Sequence, residues 1–155
     1  MDYNFFMNEA FKEALKAKEI SEVPIGCVIV YQNKIIGSGF NKRNIKKNVL
    51  YHSEIIAINE ACSYMDDWRL ENCTIFVTLE PCAMCAGAIL QSRMERLVYS
   101  TKNPKGGSIS SINNVLNNNL YNHKVEIISG VMEKESAELI SNFFSNLRSR
   151  KFQNS

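Results

Sequence analysis

The chain has 155 residues, of which 45% are apolar and 22% charged, with a formal charge of +2. This fits one domain with an ordinary buried core and excludes disordered, collagen-like and disulfide-scaffold classes. No apolar run approaches the roughly 18–20 residues needed to cross a bilayer, and Asp2, Glu9 and Glu13 interrupt the N-terminal segment where a secretory signal would be apolar, so a cytoplasmic protein is expected.

In residues 3–18, Phe6, Met7, Ala10, Phe11, Ala14, Leu15 and Ala17 keep one side of a helix apolar, while Glu9, Lys12, Glu13 and Lys16 face water. The β-branched run Ile25 to Tyr31 and the segment Lys34 to Phe40 flank Gln32-Asn33, which predicts a hairpin. Asn41 to Tyr51 is polar and basic and reads as a loop, followed by a second helix from near His52. Cys73 to Leu79 is nearly all apolar, as in a strand covered on both faces. Pro81 ends it and presets a first helical turn for Cys82 to Gln91. Arg96 to Ser100 predicts a fourth strand. The segment from Thr101 to His123 has a turn-forming composition, with a short helix expected around Ile112, Val115 and Leu116. Val125 to Ser129 predicts the last strand, and Lys134 to Arg150 a basic amphipathic helix with Ala137, Ile140, Phe143, Phe144 and Leu147 on its apolar stripe. This order predicts one domain over 1–155, a three-layer α/β/α sandwich around a mixed five-stranded sheet.

Five cysteines, Cys27, Cys62, Cys73, Cys82 and Cys85, are an odd number without a secretory context, which favours thiols or metal ligation over disulfides. Cys82 and Cys85 lie three apart at a predicted helix start, so both sulfurs share one face, and the helix N-terminus favours their thiolates. His52, Ser53 and Glu54 lie at a second predicted helix start. If both starts meet at one sheet edge, His52, Cys82 and Cys85 make three ligands for one zinc ion per chain and leave the fourth position to water, the catalytic arrangement. Glu54 is then free to move protons from that water to a substrate nitrogen and a leaving group. Two other arrangements stay open: a closed structural site completed by Cys62 or Cys73, and a redox Cys-x-x-Cys. The first of these leaves Glu54 unexplained, and a lone Glu at a helix start would by default be a solvated or capping carboxylate.

His-x-Glu followed by Pro-Cys-x-x-Cys is the signature of zinc deaminases that act on nucleobases, and His52, Glu54, Pro81, Cys82 and Cys85 satisfy it. Further segments are Glu22 to Gly26, Asn41, Thr78 to Cys85, Asn103 to Gly107, Asn122-His123 and Phe143-Phe144. On these the chain resembles the bacterial tRNA adenosine deaminases of the cytidine deaminase superfamily over nearly its whole length. The resemblance implies hydrolysis of adenosine to inosine at the tRNA wobble position, usually of an arginine tRNA, by a homodimer that grips the anticodon loop. It implies zinc on His52, Cys82 and Cys85, proton transfer by Glu54, and substrate contacts from Asn41, Ile25 and the Ser53 backbone. Asn103, Lys105 and Arg148 are candidate RNA contacts.

Three positions depart from the family pattern. Ser53 stands where alanine is usual, and Cys27 replaces a small residue of a buried strand. Asn103 stands where aspartate is common, which implies looser discrimination between RNA and DNA. The competing functions are deamination of a free nucleobase or nucleoside such as guanine, cytosine or cytidine, and a non-catalytic zinc-stabilised RNA-binding protein.

Overall fold

The computed structural model describes residues 1–117 and 121–153. Its elements are α1 (Tyr3–Glu19), β1 (Gly26–Tyr31), β2 (Lys34–Phe40), α2 (Arg43–Lys46), α3 (Ser53–Met65), β3 (Thr74–Leu79), α4 (Ala83–Gln91), β4 (Arg96–Thr101), β5 (Glu126–Ser129) and α5 (Glu133–Gln153). The five strands form one mixed sheet in the order β2-β1-β3-β4-β5. β1 runs antiparallel to both β2 and β3, while β3, β4 and β5 are parallel. None of the described helices is long and apolar enough to cross a membrane.

Alternation along the strands divides the core into two layers. Cys27, Ile29, Ile75, Val77, Leu97 and Tyr99 pack with Ala57 and Ala61 of α3 and Ala86 and Ile89 of α4. Val28, Val30, Phe76 and Val98 point the other way and bury Phe6, Met7 and Ala10 of α1. Covered on both faces, the sheet is the α/β/α sandwich expected from the sequence. The hairpin between β1 and β2 turns through Gln32 (φ 49) and Asn33 (φ 61), the pair of left-handed residues that a two-residue turn needs to match strand twist.

Gly39 sets where α3 lies. A Cβ there would strike the Ser53 carbonyl and come within 2.9 Å of the Ile56 Cβ and 3.0 Å of the Ala57 nitrogen. The bare backbone lets the first turn of α3 rest on the end of β2, which carries His52 to Glu54 to the edge of the sheet.

The structure corrects the sequence reading in three places. Residues 102–117 and 121–125 contain turns and no helix: the Ile112 N–H pairs with the Gly107 carbonyl and the Val115 N–H with the Ser108 carbonyl, five and seven residues back where a helix pairs four back. Ile109 and Leu116 are instead buried singly as anchors of the loop. The predicted loop 41–51 contains the short helix α2, begun where the Arg43 N–H donates to Asn41 Oδ1 (3.1 Å) and ended at Lys47 (φ 51). The buried stripe of α5 is rotated: Ser136 and Leu139 are buried, whereas Ala137, Phe144 and Leu147 are exposed.

Candidate active site

Strand directions bring the site together. The C-terminal ends of β2, β3 and β4 and the start of β1 share one sheet edge, with Gly26 opposite Phe40 and Leu79 opposite Thr101. Ile25, Asn41, Cys82 and the segment 102–106 follow directly from those strand ends, where α/β sheets place their ligands. They line a cleft of about 750 Å³ with His52, Ser53, Glu54, Arg43 and, from α5, Ile140, Phe144 and Arg148.

His52 caps α3 and Cys82 caps α4, both with extended backbone, and Cys85 lies one turn into α4. The His52 Nδ1 is 3.7 Å from the Cys82 Sγ and 3.6 Å from the Cys85 Sγ, and all three ligand atoms lie within 4.8 Å of one another. Bonds of about 2.3 Å to sulfur and 2.0–2.1 Å to nitrogen at a tetrahedral angle separate the two ligand atoms by about 3.6 Å. The three residues therefore fit a tetrahedral zinc ion with one corner left open. Cys62 and Cys73 lie outside this group: their sulfurs face the carbonyls of Trp68 (3.8 Å) and Glu71 (3.6 Å).

The two sulfurs are electrostatically coupled. The Cys85 thiol as a hydrogen-bond donor, helped by His52 and opposed by burial, holds Cys82 down at about 4. Cys85 is pushed far above the thiol range by Cys82, by burial and by Glu54. Both sulfurs must be deprotonated to ligate a soft dication. His52 is raised, mainly by its hydrogen bond with Cys82, against the opposing effect of burial.

Glu54 is 4% exposed. Burial raises its pKa, partly offset by the Ser53 hydroxyl, which donates to its Oε1 at 2.5 Å. A carboxyl in that setting holds a proton more readily than one in water.

Asn41 is buried and lines the cleft, yet its side chain also serves the turn: Nδ2 donates to the Val23 carbonyl (3.3 Å) and Oδ1 accepts from Arg43. The Asn103 Oδ1 accepts from the Gly106 N–H (3.2 Å), so this amide shapes its own loop. Ile25, Ser53, Asn103, Lys105 and Arg148, all singled out in the sequence, line the same cleft. His123 does not; its Nε2 packs against the Met94 carbonyl at 2.6 Å.

Sequence reasoning missed two buried glutamates. Glu22 accepts the Ile45 N–H at 2.6 Å and so ties α2 to the start of β1. Glu80, 1% exposed, accepts from the N–H groups of Asn103 (3.1 Å), Ile109 (3.0 Å), Ser110 (2.9 Å) and Ser111 (3.1 Å) and from the Ser111 hydroxyl (2.5 Å). Burial would raise its pKa, but these donors hold it at about 2. The signal available for both was a carboxylate among apolar residues just ahead of a proline.

A family model described as MafB19-like deaminase matches residues 1–148. The tRNA-specific adenosine deaminase of Bacillus subtilis (strain 168) is 45% identical over 146 residues, 94% of this chain and 91% of that protein. That of Rickettsia bellii (strain RML369-C) is 45% identical over 144 residues, 92% of this chain and 99% of that protein. A solved structure from studies of A-to-I editing by tRNA:A34 deaminases at the wobble position superposes with a TM-score of 0.83 at 39% identity, covering 87% of this chain and 98% of that one.

Proposed function

Because the chain belongs to the tRNA-specific adenosine deaminase family, we propose that it hydrolyses the wobble adenosine of a tRNA anticodon, that of an arginine tRNA, to inosine and ammonia. The observation that carries the mechanism is a buried carboxyl, Glu54, beside three convergent ligands that leave one corner of a tetrahedron open. His52, Cys82 and Cys85 would hold one zinc ion per chain. Zinc lowers the pKa of water toward about 7 and so supplies a nucleophile at neutral pH. Glu54 would take one proton from water and deliver it to the purine ring nitrogen, then take the second proton, from the hydroxyl added to the ring carbon, and give it to the amine, which leaves as ammonia. Asn41 has a second Nδ2 proton for the purine, while Ile25 and the Ser53 backbone close the pocket around it.

Unpaired bases of a loop are the ones an enzyme can splay into such a pocket at least cost. Arg43, Lys102, Lys105 and Arg148 all line the cleft and would meet phosphates, with Phe144 beside them as an exposed aromatic face. Ile45, Val49 and Leu50, apolar and exposed between β2 and α3, supply a surface for a second copy, and we place the protein in the cytoplasm as a homodimer.

The direct test is inosine formation in an unmodified arginine tRNA anticodon stem-loop, with free adenosine, guanine and cytosine as controls. Conversion of the RNA alone supports the proposal; conversion of a free base at an equal or higher rate overturns it. Four phosphate contacts predict that raising salt from about 50 to 200 mM increases KM by up to about 50-fold with kcat nearly constant, and a flat salt profile would remove the basic rim from recognition. Asn103→Asp keeps an oxygen for the Gly106 N–H and adds a pure acceptor for a ribose 2′-hydroxyl. It is expected to raise the ratio of activity on the RNA stem-loop to activity on its DNA counterpart. An unchanged ratio would clear Asn103 of any part in substrate choice.

A further inference from the structure

The wall of the cleft formed by residues 102–106 belongs to no helix or strand, yet it lines the same cleft as the ligand-bearing turn at Cys82. Its position relative to that turn depends on a few bonds. The Glu80 N–H donates to the Thr101 carbonyl at 2.8 Å and the Ser108 N–H to the Pro81 carbonyl at 2.9 Å, so the strand end and the loop are joined on both sides of the wall. Between these two joints lies the Glu80 carboxylate, which gathers five donors from Asn103, Ile109, Ser110 and Ser111. The loop is shaped to admit it: a Cβ at Gly107 would overlap the carboxylate itself.

We infer that Glu80 is a positioning residue for substrate recognition, one carboxylate that fixes the RNA-facing wall bearing Lys102, Asn103 and Lys105 against the segment bearing Cys82. This rests on the RNA-deaminase reading above. Four backbone N–H groups at 2.9–3.1 Å and one hydroxyl converge on this carboxylate, and no other side chain spans these two segments among the bonds described. Loosening the carboxylate frees the wall while His52, Cys85 and Glu54, carried by α3 and α4, stay in place. A substrate that touches the rim then binds less well, and the chemistry at the floor continues.

Glutamine at this position keeps the shape but has one acceptor oxygen, and its NH2 would face N–H donors. Ser111→Ala removes a single donor on the far side of the loop from the metal ligands. For Glu80→Gln the expected result is a KM for the anticodon stem-loop about tenfold higher or more, with kcat within threefold of wild type, full zinc content, and faster tryptic cleavage after Lys102 or Lys105. Ser111→Ala should shift KM in the same direction by a smaller factor, and it carries the test if Glu80→Gln does not fold. An unchanged KM in a variant that merely melts earlier would overturn the inference, because the carboxylate would then be structural only. Loss of zinc from Glu80→Gln would also overturn it, by making the residue a support of the metal-ligand turn. Wild-type protein that leaves the stem-loop unconverted would overturn the functional reading itself, and the inference with it.

Discussion

Replacing Glu54 by glutamine is expected to lower inosine formation by about 10²–10⁴-fold while the protein stays folded and keeps its metal. Glutamine has the same shape and can still accept the Ser53 hydroxyl now bound to Glu54 Oε1, but it cannot take a proton from water and return it to the purine. Burial is the largest influence on this carboxyl, raising its pKa, so the ionised form is held in place at a cost to the fold. A neutral amide removes that cost, and the variant should melt no earlier than the wild type. Kinetics, zinc analysis and a melting curve on one sample separate the outcomes. A variant within tenfold of wild-type activity would remove Glu54 from proton transfer; a variant that has lost zinc would make it a support of the metal site.

The convergence of His52, Cys82 and Cys85, with Glu54 in the same cleft, was legible in the sequence because these residues stand at fixed short spacings. Glu54 stands two positions after His52, Cys85 stands three after Cys82, and a proline beside Cys82 marks a helix start. Strand alternation and the Gln32-Asn33 turn made the sheet equally readable. Glu80 was hidden because its partners lie 23 to 31 residues away and, the Ser111 hydroxyl apart, are backbone N–H groups, which leave no trace in residue type. The helix expected near Ile112 is lacking because the Ile112 and Val115 N–H groups pair with the Gly107 and Ser108 carbonyls, off the four-residue register that a helix needs. In α5 the apolar stripe was misjudged because Ile140, Phe144 and Arg148, four residues apart, form a face that lines the cleft. An apolar residue on a cleft wall and one in the core look alike in a helical pattern.

Cys85→Ala is expected to empty the metal site and with it abolish activity. Cys85 is fully buried and is the nearer of the two sulfurs to the His52 Nδ1, at 3.6 Å, and without it two ligands remain, both only partly buried. Ligand binding stabilises a fold by RT ln(1 + [L]/Kd), so zinc at a thousand times its Kd adds about 4 kcal/mol. For a chain of this size that corresponds to roughly 8–16 °C in Tm. The wild type should therefore lose about that much Tm on chelation and regain it with added zinc, whereas Cys85→Ala should start low and respond to neither. Cys62→Ala provides the contrast. Its sulfur faces the Trp68 carbonyl outside the ligand group, so zinc content and activity should be retained. Zinc bound at full stoichiometry by Cys85→Ala, or lost by Cys62→Ala, would replace the open three-ligand site with a closed structural one, and Glu54 would then have no water beside it to activate.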